Sequence, residues 1–259
     1  MPSKPLSGVI ALHRFYLPDL GTENHVWLEG DEGRHAVRVL RLSVGDEVGV
    51  FDGSGLECTG TVERAERDRA KIVVTRRERV DRDPALAVTL GCAIVKSKAM
   101  DELVESCAEL GLRELIPVET QRSVPKIERK EQAHVARWER IAIEASKQCG
   151  RTTLTRIAAP RPLPALLEKA RQWDVRLVFT PDEGALPLRN VLNSHPEPSS
   201  LIYLIGPEGG FEPAEVRDAL AAGFEAVHLG KSTLRAETAA AAALAAILYH
   251  YERPGAPPR

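Results

Sequence analysis

The sequence predicts an α/β protein of two domains, a β-rich domain over residues 1–82 and a larger domain over residues 83–259 with a mostly parallel sheet. Three observations predict this fold. Short apolar runs separated by turn residues fill the first part of the chain, and apolar runs alternate with helix-patterned segments in the second. The composition changes between the two parts, at Asp81-Arg82-Asp83-Pro84. Strands that alternate with helices are typical of βαβ units and a parallel sheet.

The first domain is predicted to be a small β-barrel or sandwich, because short strands separated by tight turns build such folds. The Asp52-Gly53-Ser54-Gly55 segment indicates a turn between two of the strands. One helix, over residues 31–42, interrupts the strand pattern. The predicted strands are residues 25–28, 47–51, 56–62 and 71–75.

The second domain is predicted to alternate strands with helices. Met100, Leu103, Val104 and Cys107 follow the i, i+3, i+4, i+7 spacing of one helix face. The final helix, over residues 237–250, consists mostly of Ala and Leu, which are the strongest helix formers. A further long helix is predicted to end near Cys149, and the predicted strands are residues 86–95, 115–118, 176–180, 200–205 and 226–229.

The composition excludes several classes of protein. With 43% apolar residues, the 259-residue chain can build a packed core, which excludes global disorder and fibrous repeats. The longest apolar run, residues 239–249, is shorter than the ~18–20 residues that cross a bilayer. The N-terminus has no secretion-signal pattern, so a cytoplasmic protein with no membrane partner is expected. The four cysteines are scattered without a CxxC pair, so no metal site is expected.

Two glycine-rich loops follow predicted strands of the second domain. Residues 206–211 read GPEGGF, and residues 229–238 read LGKSTLRAET and lead into the alanine-rich helix. Open α/β sheets bind their ligands at the carboxyl ends of the strands, so both loops are candidate ligand loops. The alternative is that each is an ordinary tight turn. GxGxxG and GxxxxGK[ST] are both absent, which leaves a Rossmann dinucleotide site and a P-loop without support.

Together with the alanine-rich helix, these loops closely resemble the bacterial 16S rRNA (uridine-N3) methyltransferases of the SPOUT superfamily. The resemblance spans nearly the whole chain in the same order and spacing. It includes RFY at residues 14–16, FDGSG at 51–55, ELG at 109–111, RS at 122–123 and QCGR at 148–151.

The resemblance implies a PUA-like β-barrel that binds RNA, followed by a SPOUT domain with a trefoil knot. It also implies S-adenosyl-L-methionine as cofactor, 16S rRNA or the small ribosomal subunit as partner, and a homodimer formed through the SPOUT domain. Two alternatives stay open. The chain is another SPOUT RNA methyltransferase, acting on a ribose 2′-oxygen or a tRNA base, or it is a non-catalytic RNA-binding protein.

For the cofactor, the resemblance implies a site between the two glycine loops and a third loop over residues 179–184, which includes Thr180. Aliphatic side chains suit the faces of an adenine ring, and glycines allow close approach of the backbone. Ser232 and Thr238 are also expected there, although capping of the final helix is the alternative role for both. The expected cofactor contacts are Thr180, Ile205, Gly206, Pro207, Glu208, Gly209, Gly210, Leu229, Gly230, Ser232, Leu234 and Thr238.

Arg235 and Glu237 are the candidate catalytic residues. Methylation of uridine N3 requires loss of a weakly acidic imide proton, and a guanidinium beside a uracil carbonyl stabilises the resulting anion. The alternative for Arg235 is a salt bridge to Glu237 or Glu208 that only shapes the loop. Glu237 either orients Arg235, accepts a proton, or favours the helix N-terminus through its charge alone.

Six arginines are candidate RNA contacts. Arg34, Arg38 and Arg41 recur at i, i+4 and i+7, which predicts one basic stripe on the helix of the first domain. The alternative for such a stripe is a solvated helix face. The weaker candidates are Arg14 in the first domain, and Arg122 and Arg151 in the second.

Overall fold

The computed structural model describes residues 12–123 and 131–252, and the chain divides into two units between Asp81 and Arg82. The two units differ in secondary structure. The first is mainly β, and the second alternates strands with helices. None of the helices in the described ranges is long and apolar enough to cross a membrane.

The first unit is a five-stranded sheet with the strand order β1-β3-β4-β5-β2. β1 runs parallel to β3, and the other pairs are antiparallel. Register shifts at Thr59/Gly60 and Val62/Arg64 bend the long β4–β5 pair, so the sheet curls around its core. Within the described residues β1 and β2 remain its two edges, so the predicted barrel is a half-barrel. The strands are β1 His13–Tyr16, β2 His25–Leu28, β3 Glu47–Phe51, β4 Leu56–Glu66 and β5 Arg69–Arg79.

The helix predicted over residues 31–42 is two shorter elements. α1 spans Gly30–Arg34, and a π-helical turn spans His35–Val39. The helical segment ends at Leu40, and Arg41 has a φ of 57°, in the left-handed region. Residues at i, i+4 and i+7 share one helix face only where the whole segment is an α-helix with 3.6 residues per turn. The prediction that Arg34, Arg38 and Arg41 form one helical stripe is therefore wrong for Arg41.

The second unit contains an eight-stranded sheet in which every described strand pair is parallel. The strand order is β11-β13-β10-β12-β6-β7-β8, and β9 also pairs with β7. The strands are β6 Ala87–Ala93, β7 Glu114–Glu119, β8 Arg156–Ile157, β9 Arg161–Pro162, β10 Val175–Phe179, β11 Leu186–Pro187, β12 Ser200–Ile205 and β13 Glu225–His228. The helices are α2 Ser97–Glu109, α3 Glu131–Cys149, α4 Leu163–Leu167, α5 Leu188–Ser194, α6 Pro213–Ala221 and α7 Ala236–Tyr251.

Apolar cores lie on both faces of this sheet. One core joins strand residues to α2, α3, α5 and α7, and the other joins them to α4 and α6. The fully buried Tyr203 fixes α7 against β12, because its hydroxyl donates to the Ala240 carbonyl at 3.0 Å. Buried hydroxyls need such a partner, so this bond sets where α7 begins relative to the strand.

Gly33 packs α1 directly on its unit, and Gly33→Ala is expected to destabilise that unit. An added Cβ would lie 2.3 Å from the Asp68 carbonyl oxygen and 2.6 Å from the Leu28 carbonyl oxygen. Because both obstacles are backbone atoms, the expected loss in the free energy of unfolding is about 2 kcal/mol or more. Hydrogen exchange of the β2–β5 amides in urea measures it.

Gly184→Ala is the matched control, since nothing lies within 4 Å of its added Cβ. It is expected to change the free energy of unfolding by less than about 0.5 kcal/mol. Equal protection of the β2–β5 amides in the two variants would contradict the packing described for Gly33.

Candidate active site

Three loops meet at one edge of the parallel sheet. β10 lies between β12 and β13, with Val178 opposite Leu204 and Phe179 opposite Val227. Because the three strands are parallel and in this register, the loops that follow them leave from the same carboxyl edge. These loops are residues 180–184, 206–211 and 229–235. The prediction that the two glycine loops share an edge is confirmed.

The loop over residues 206–211 is a tight turn that favours glycine at two positions. The Gly210 amide donates to the Pro207 carbonyl at 2.8 Å, and Gly210 has a φ of 69°. A Cβ on Gly206 would lie 3.1 Å from both the backbone nitrogen and the ring of Phe211. Ile205 and Pro207 are buried beneath the loop, so Glu208 and Gly209 are its exposed part.

The loop over residues 229–235 is exposed and leads into α7. Leu229 is half-buried, whereas Leu234 is 38% exposed. Arg235 occupies the position just before α7, where its carbonyl accepts from the Ala239 amide at 2.8 Å. Gly230, Ser232 and Thr238 are also exposed. No side-chain cap forms at this helix start, so the structure does not use Ser232 or Thr238 as its capping residue.

The third loop is held by its own first residue. The Thr180 amide donates to the Val227 carbonyl at 3.1 Å, which continues the β10–β13 pairing. The buried Thr180 hydroxyl donates to the Asp182 carboxylate at 2.8 Å. Residues 181–184 are all exposed.

A buried thiol lies in the strand next to β12, at the base of the Gly206–Phe211 loop. Cys92 in β6 pairs with Ile205 in register and is fully buried, which raises the pKa of its thiol. The charges of Cys107, Glu208 and Glu237 raise that pKa further. Glu208 lies in the loop after β12, and Glu237 lies in the first turn of α7, so the two carboxylates come from the segments that follow β12 and β13.

The Arg235 guanidinium is available for a ligand. It is exposed, and it forms no ion pair with Glu208 or Glu237, both of which lie in the described part of the chain. The alternative in which Arg235 only shapes the loop through such a salt bridge therefore loses its support. Over residues 12–123 and 131–252, no cluster of His, Cys, Asp and Glu side chains is arranged to hold a metal ion.

Comparison with known proteins identifies the family. The profile described as an RNA methyltransferase domain matches residues 82–248, and the profile described as an RNA methyltransferase PUA domain matches residues 28–75. The chain belongs to this family of RNA methyltransferases.

Individual proteins similar to this RNA methyltransferase support the same family assignment. A protein of Synechocystis named ribosomal RNA small subunit methyltransferase E is 33% identical over 93% of this chain and 78% of its own length. The Bacillus subtilis protein of the same name is 28% identical over 87% of this chain and 90% of its own. A crystal structure of the Neisseria gonorrhoeae protein of that name, bound to S-adenosyl methionine, matches with a TM-score of 0.84 and 31% identity. That match covers 92% of this chain and 97% of the other.

Two of the arginines predicted to contact RNA are structural. The Arg14 side chain is 10% exposed, pairs with the Glu57 carboxylate at 2.6 Å, and lies over the Phe51 ring at 4.6 Å. The Arg151 side chain is 6% exposed, pairs with Asp83 at 3.0 Å, and donates to the Ala108 carbonyl at 2.7 Å. Both guanidiniums are buried and bonded within the protein, so the structure favours a role in folding for Arg14 and Arg151, and their RNA contacts stay predictions.

Arg34 and Arg38 are exposed in this RNA methyltransferase, and both sit beside acidic neighbours. Their side chains are each 54% exposed, with Arg34 paired to Asp31 and Arg38 paired to Asp68. Arg41 is exposed after the end of the helix. Exposed ion pairs of this kind contribute little to stability, so they do not prevent these side chains from exchanging partners.

Arg122 and Glu215 form contacts that the sequence analysis missed. Arg122 donates to the Gly209 carbonyl at 2.5 Å and to the Glu212 carboxylate at 2.8 Å. Glu215 accepts from the Gln121 amide at 2.9 Å and from the Glu212 amide at 2.8 Å. A signal for Glu215 was present, since a glutamate at the third position of a helix commonly bonds the residue before the helix. No sequence signal predicts the distant contacts, which join Arg122 to Gly209 and Glu212, and Glu215 to Gln121, across more than 85 positions of the chain.

Arg151→Ala is expected to weaken folding rather than RNA binding. The change leaves the Asp83 carboxylate, which is 17% exposed, without its guanidinium, and breaking such pairs costs about 3 kcal/mol. Urea unfolding measures the effect. Lys98→Ala is the control, because both members of its pair with Glu102 are exposed, 91% and 50%, and the pair is expected to contribute less than about 1 kcal/mol. An unchanged unfolding free energy with weaker RNA binding would restore Arg151 as an RNA contact.

Proposed function

We propose that this protein is an S-adenosyl-L-methionine-dependent methyltransferase that methylates N3 of a uridine in 16S rRNA. One observation carries the proposal. The Gly206–Phe211 loop and the loop that ends at Arg235 leave one edge of a parallel sheet, in a chain that belongs to an RNA methyltransferase family. The relatives named as small-subunit rRNA methyltransferases support ribosomal RNA as the substrate class.

The residues at the sheet edge fit the cofactor. The exposed Gly209 and the half-buried Gly210 bring backbone without side chains to this edge, and the Gly209 amide and the Gly210 carbonyl suit the edge of a purine. Leu229 and Leu234 present aliphatic surface beside them, and Thr180 closes the third side from β10. Ile205 and Pro207 are buried, so their side chains support the loop from beneath and do not contact the cofactor directly. When bound, S-adenosyl-L-methionine supplies an electrophilic methyl group.

Arg235 carries the chemistry in this proposal. Its guanidinium stabilises the negative charge that develops on the uracil ring when N3 loses its proton. Glu237, half-buried in the first turn of α7, accepts that proton or orients Arg235. Glu208 acts from the opposite loop and adds negative charge near a cationic cofactor. Holding both reactants in one orientation supplies much of the rate acceleration.

The first unit is proposed to bind the RNA through Arg34, Arg38 and Arg41. All three are exposed, and their acidic neighbours are exchangeable on binding. The match to an RNA methyltransferase PUA domain over residues 28–75 includes all three positions and supports this assignment. A ribosomal RNA substrate, free or within the small subunit, implies a cytoplasmic enzyme.

A homodimer formed through α7 completes the proposal. Ala and Leu make up most of this helix, yet it leaves Tyr249 82% exposed and Ala245 exposed on the same face. Thr238, Ala242, Ala245 and Tyr249 recur at i, i+4, i+7 and i+11, so they form one solvent-facing stripe. A contiguous apolar stripe on a soluble protein marks an interface. The trefoil knot expected of the SPOUT domain belongs to the same proposal.

Arg235→Ala is expected to lower the rate of methyl transfer to 16S rRNA at least about 100-fold, because the developing anion loses its counter-charge. Affinity for S-adenosyl-L-methionine, measured by calorimetry, is expected to stay within about threefold, since the change acts on the transition state. Nucleoside mass spectrometry of rRNA from a deletion strain identifies the product. Complementation with Arg235→Ala is expected to leave N3-methyluridine absent.

Arg171→Ala, which removes an exposed guanidinium just before β10, at the amino edge of the sheet and opposite the three loops, is the control and is expected to restore the modification. A wild-type protein that binds no S-adenosyl-L-methionine would leave only the non-catalytic reading. A methylated ribose oxygen or tRNA base in place of N3-methyluridine would move the protein to another RNA methyltransferase activity.

Replacing Arg34, Arg38 and Arg41 together with Ala is expected to weaken RNA affinity and to flatten its salt dependence. Three phosphate contacts on single-stranded RNA correspond to a slope of about −2 in log affinity against log salt concentration. Filter binding across a salt series measures both quantities. A triple Ala variant with the wild-type slope would remove these arginines from the RNA interface.

A further inference from the structure

We infer that Arg122, Glu212 and Glu215 form a brace that holds the Gly206–Phe211 loop in its cofactor-binding conformation. The inference rests on the proposed function, because it concerns the same loop. It assigns Arg122 a positioning role in cofactor binding in place of the RNA contact expected from the sequence.

The brace joins two loops that are not neighbours in the sheet. The loop after β7 carries Gln121 and Arg122, whereas the Gly206–Phe211 loop follows β12. β6 lies between those two strands, so the contacts span two strand spacings, which is about 10 Å. The brace therefore crosses over the carboxyl end of β6, and bonds at that distance do not arise from strand pairing.

Arg122 contacts the loop at its middle and at its end. One guanidinium nitrogen donates to the Gly209 carbonyl at 2.5 Å, and another donates to the Glu212 carboxylate at 2.8 Å. A Cβ on Gly209 would lie 3.3 Å from the Arg122 Cδ, so the arginine stem also lies close against the loop backbone. The planar guanidinium thereby fixes the distance between two points of a loop rich in glycine.

Glu215 fixes the base of the brace. It is 9% exposed, and each of its carboxylate oxygens accepts one backbone amide, from Gln121 at 2.9 Å and from Glu212 at 2.8 Å. The turn that carries Arg122 is itself closed, since Thr120 and Ser123 bond each other through their hydroxyls at 2.8 Å. Arg122 therefore projects from a fixed turn rather than from a mobile one.

The consequence is a loop ordered before the cofactor arrives. Fixing the backbone of one residue costs about 1–2 kcal/mol, and glycines lose the most freedom. If the brace keeps residues 206–210 in their bound conformation, the cofactor does not have to order them. Loss of the brace then weakens cofactor binding in the ground state and leaves the rate of the chemical step unchanged.

The test is Arg122→Gln. It is expected to raise the dissociation constant for S-adenosyl-L-methionine, measured by calorimetry without RNA, about tenfold, which corresponds to about 1.4 kcal/mol. The KM for the cofactor is expected to rise by a similar factor, with kcat within about twofold of wild type. RNA affinity measured without cofactor is expected to be unchanged. Arg122→Lys keeps the charge but not the two-point contact. Its dissociation constant for S-adenosyl-L-methionine is expected to lie between those of wild type and Arg122→Gln.

A double-mutant cycle separates the brace from a general effect on folding. Glu212→Gln is expected to weaken cofactor binding about threefold, and the double variant is expected to be no weaker than Arg122→Gln alone, because the two residues act as one unit. Arg217→Gln on α6 is the matched control, since it removes one exposed guanidinium close to the brace in the chain. It is expected to bind the cofactor like wild type.

Each contrary outcome is distinct. Unchanged cofactor affinity with weaker RNA affinity in Arg122→Gln would make Arg122 an RNA contact and overturn the brace. Additive effects of Arg122→Gln and Glu212→Gln would overturn the coupling on which it depends. A wild-type protein without affinity for S-adenosyl-L-methionine would overturn the proposed function itself, together with this inference.

Discussion

The parallel pairing of β10 with both β12 and β13 is the constraint on which the site depends. Parallel strands send all their following loops to one edge, so loops separated by more than 20 residues in sequence meet without any specific bond between them. The pairing is fixed by buried strands with cores on both faces. A residue such as Arg235 is therefore positioned by the packing of the whole sheet, and its own loop needs little intrinsic order.

The three loops reach that edge with different amounts of support. Thr180 is bonded to β13 and to Asp182, and the Gly206–Phe211 loop is bonded across β6 to Arg122. The loop that ends at Arg235 has exposed side chains from Gly230 onward and is anchored mainly where α7 begins. Two of the three loops are thus held by hydrogen bonds to neighbouring segments. The third is exposed and carries the candidate catalytic Arg235. Such an arrangement is suited to a large substrate that approaches from one side.

Sequence reasoning predicted the elements and the loop positions well, because hydrophobic spacing and glycine placement are local signals. It did not reveal the burial of Arg14 and Arg151, whose partners Glu57 and Asp83 lie 43 and 68 positions away. It failed for Arg41 because an α-helical repeat was extended through a π-helical turn that the residue pattern does not reveal. The charge of an arginine is visible in a sequence, whereas its burial depends on contacts that only the folded chain provides.

The burial of Cys92 protects the enzyme from its own reagent. A sulfonium methyl donor alkylates thiolates, and this cysteine lies at the strand position opposite Ile205, directly below the loop proposed to hold that donor. The fully enclosed side chain and the negative charges around it raise the pKa of the thiol, so the sulfur stays protonated and poorly nucleophilic. Burial, the main cause of the raised pKa, therefore keeps this sulfur out of reaction with a methyl donor held at the sheet edge.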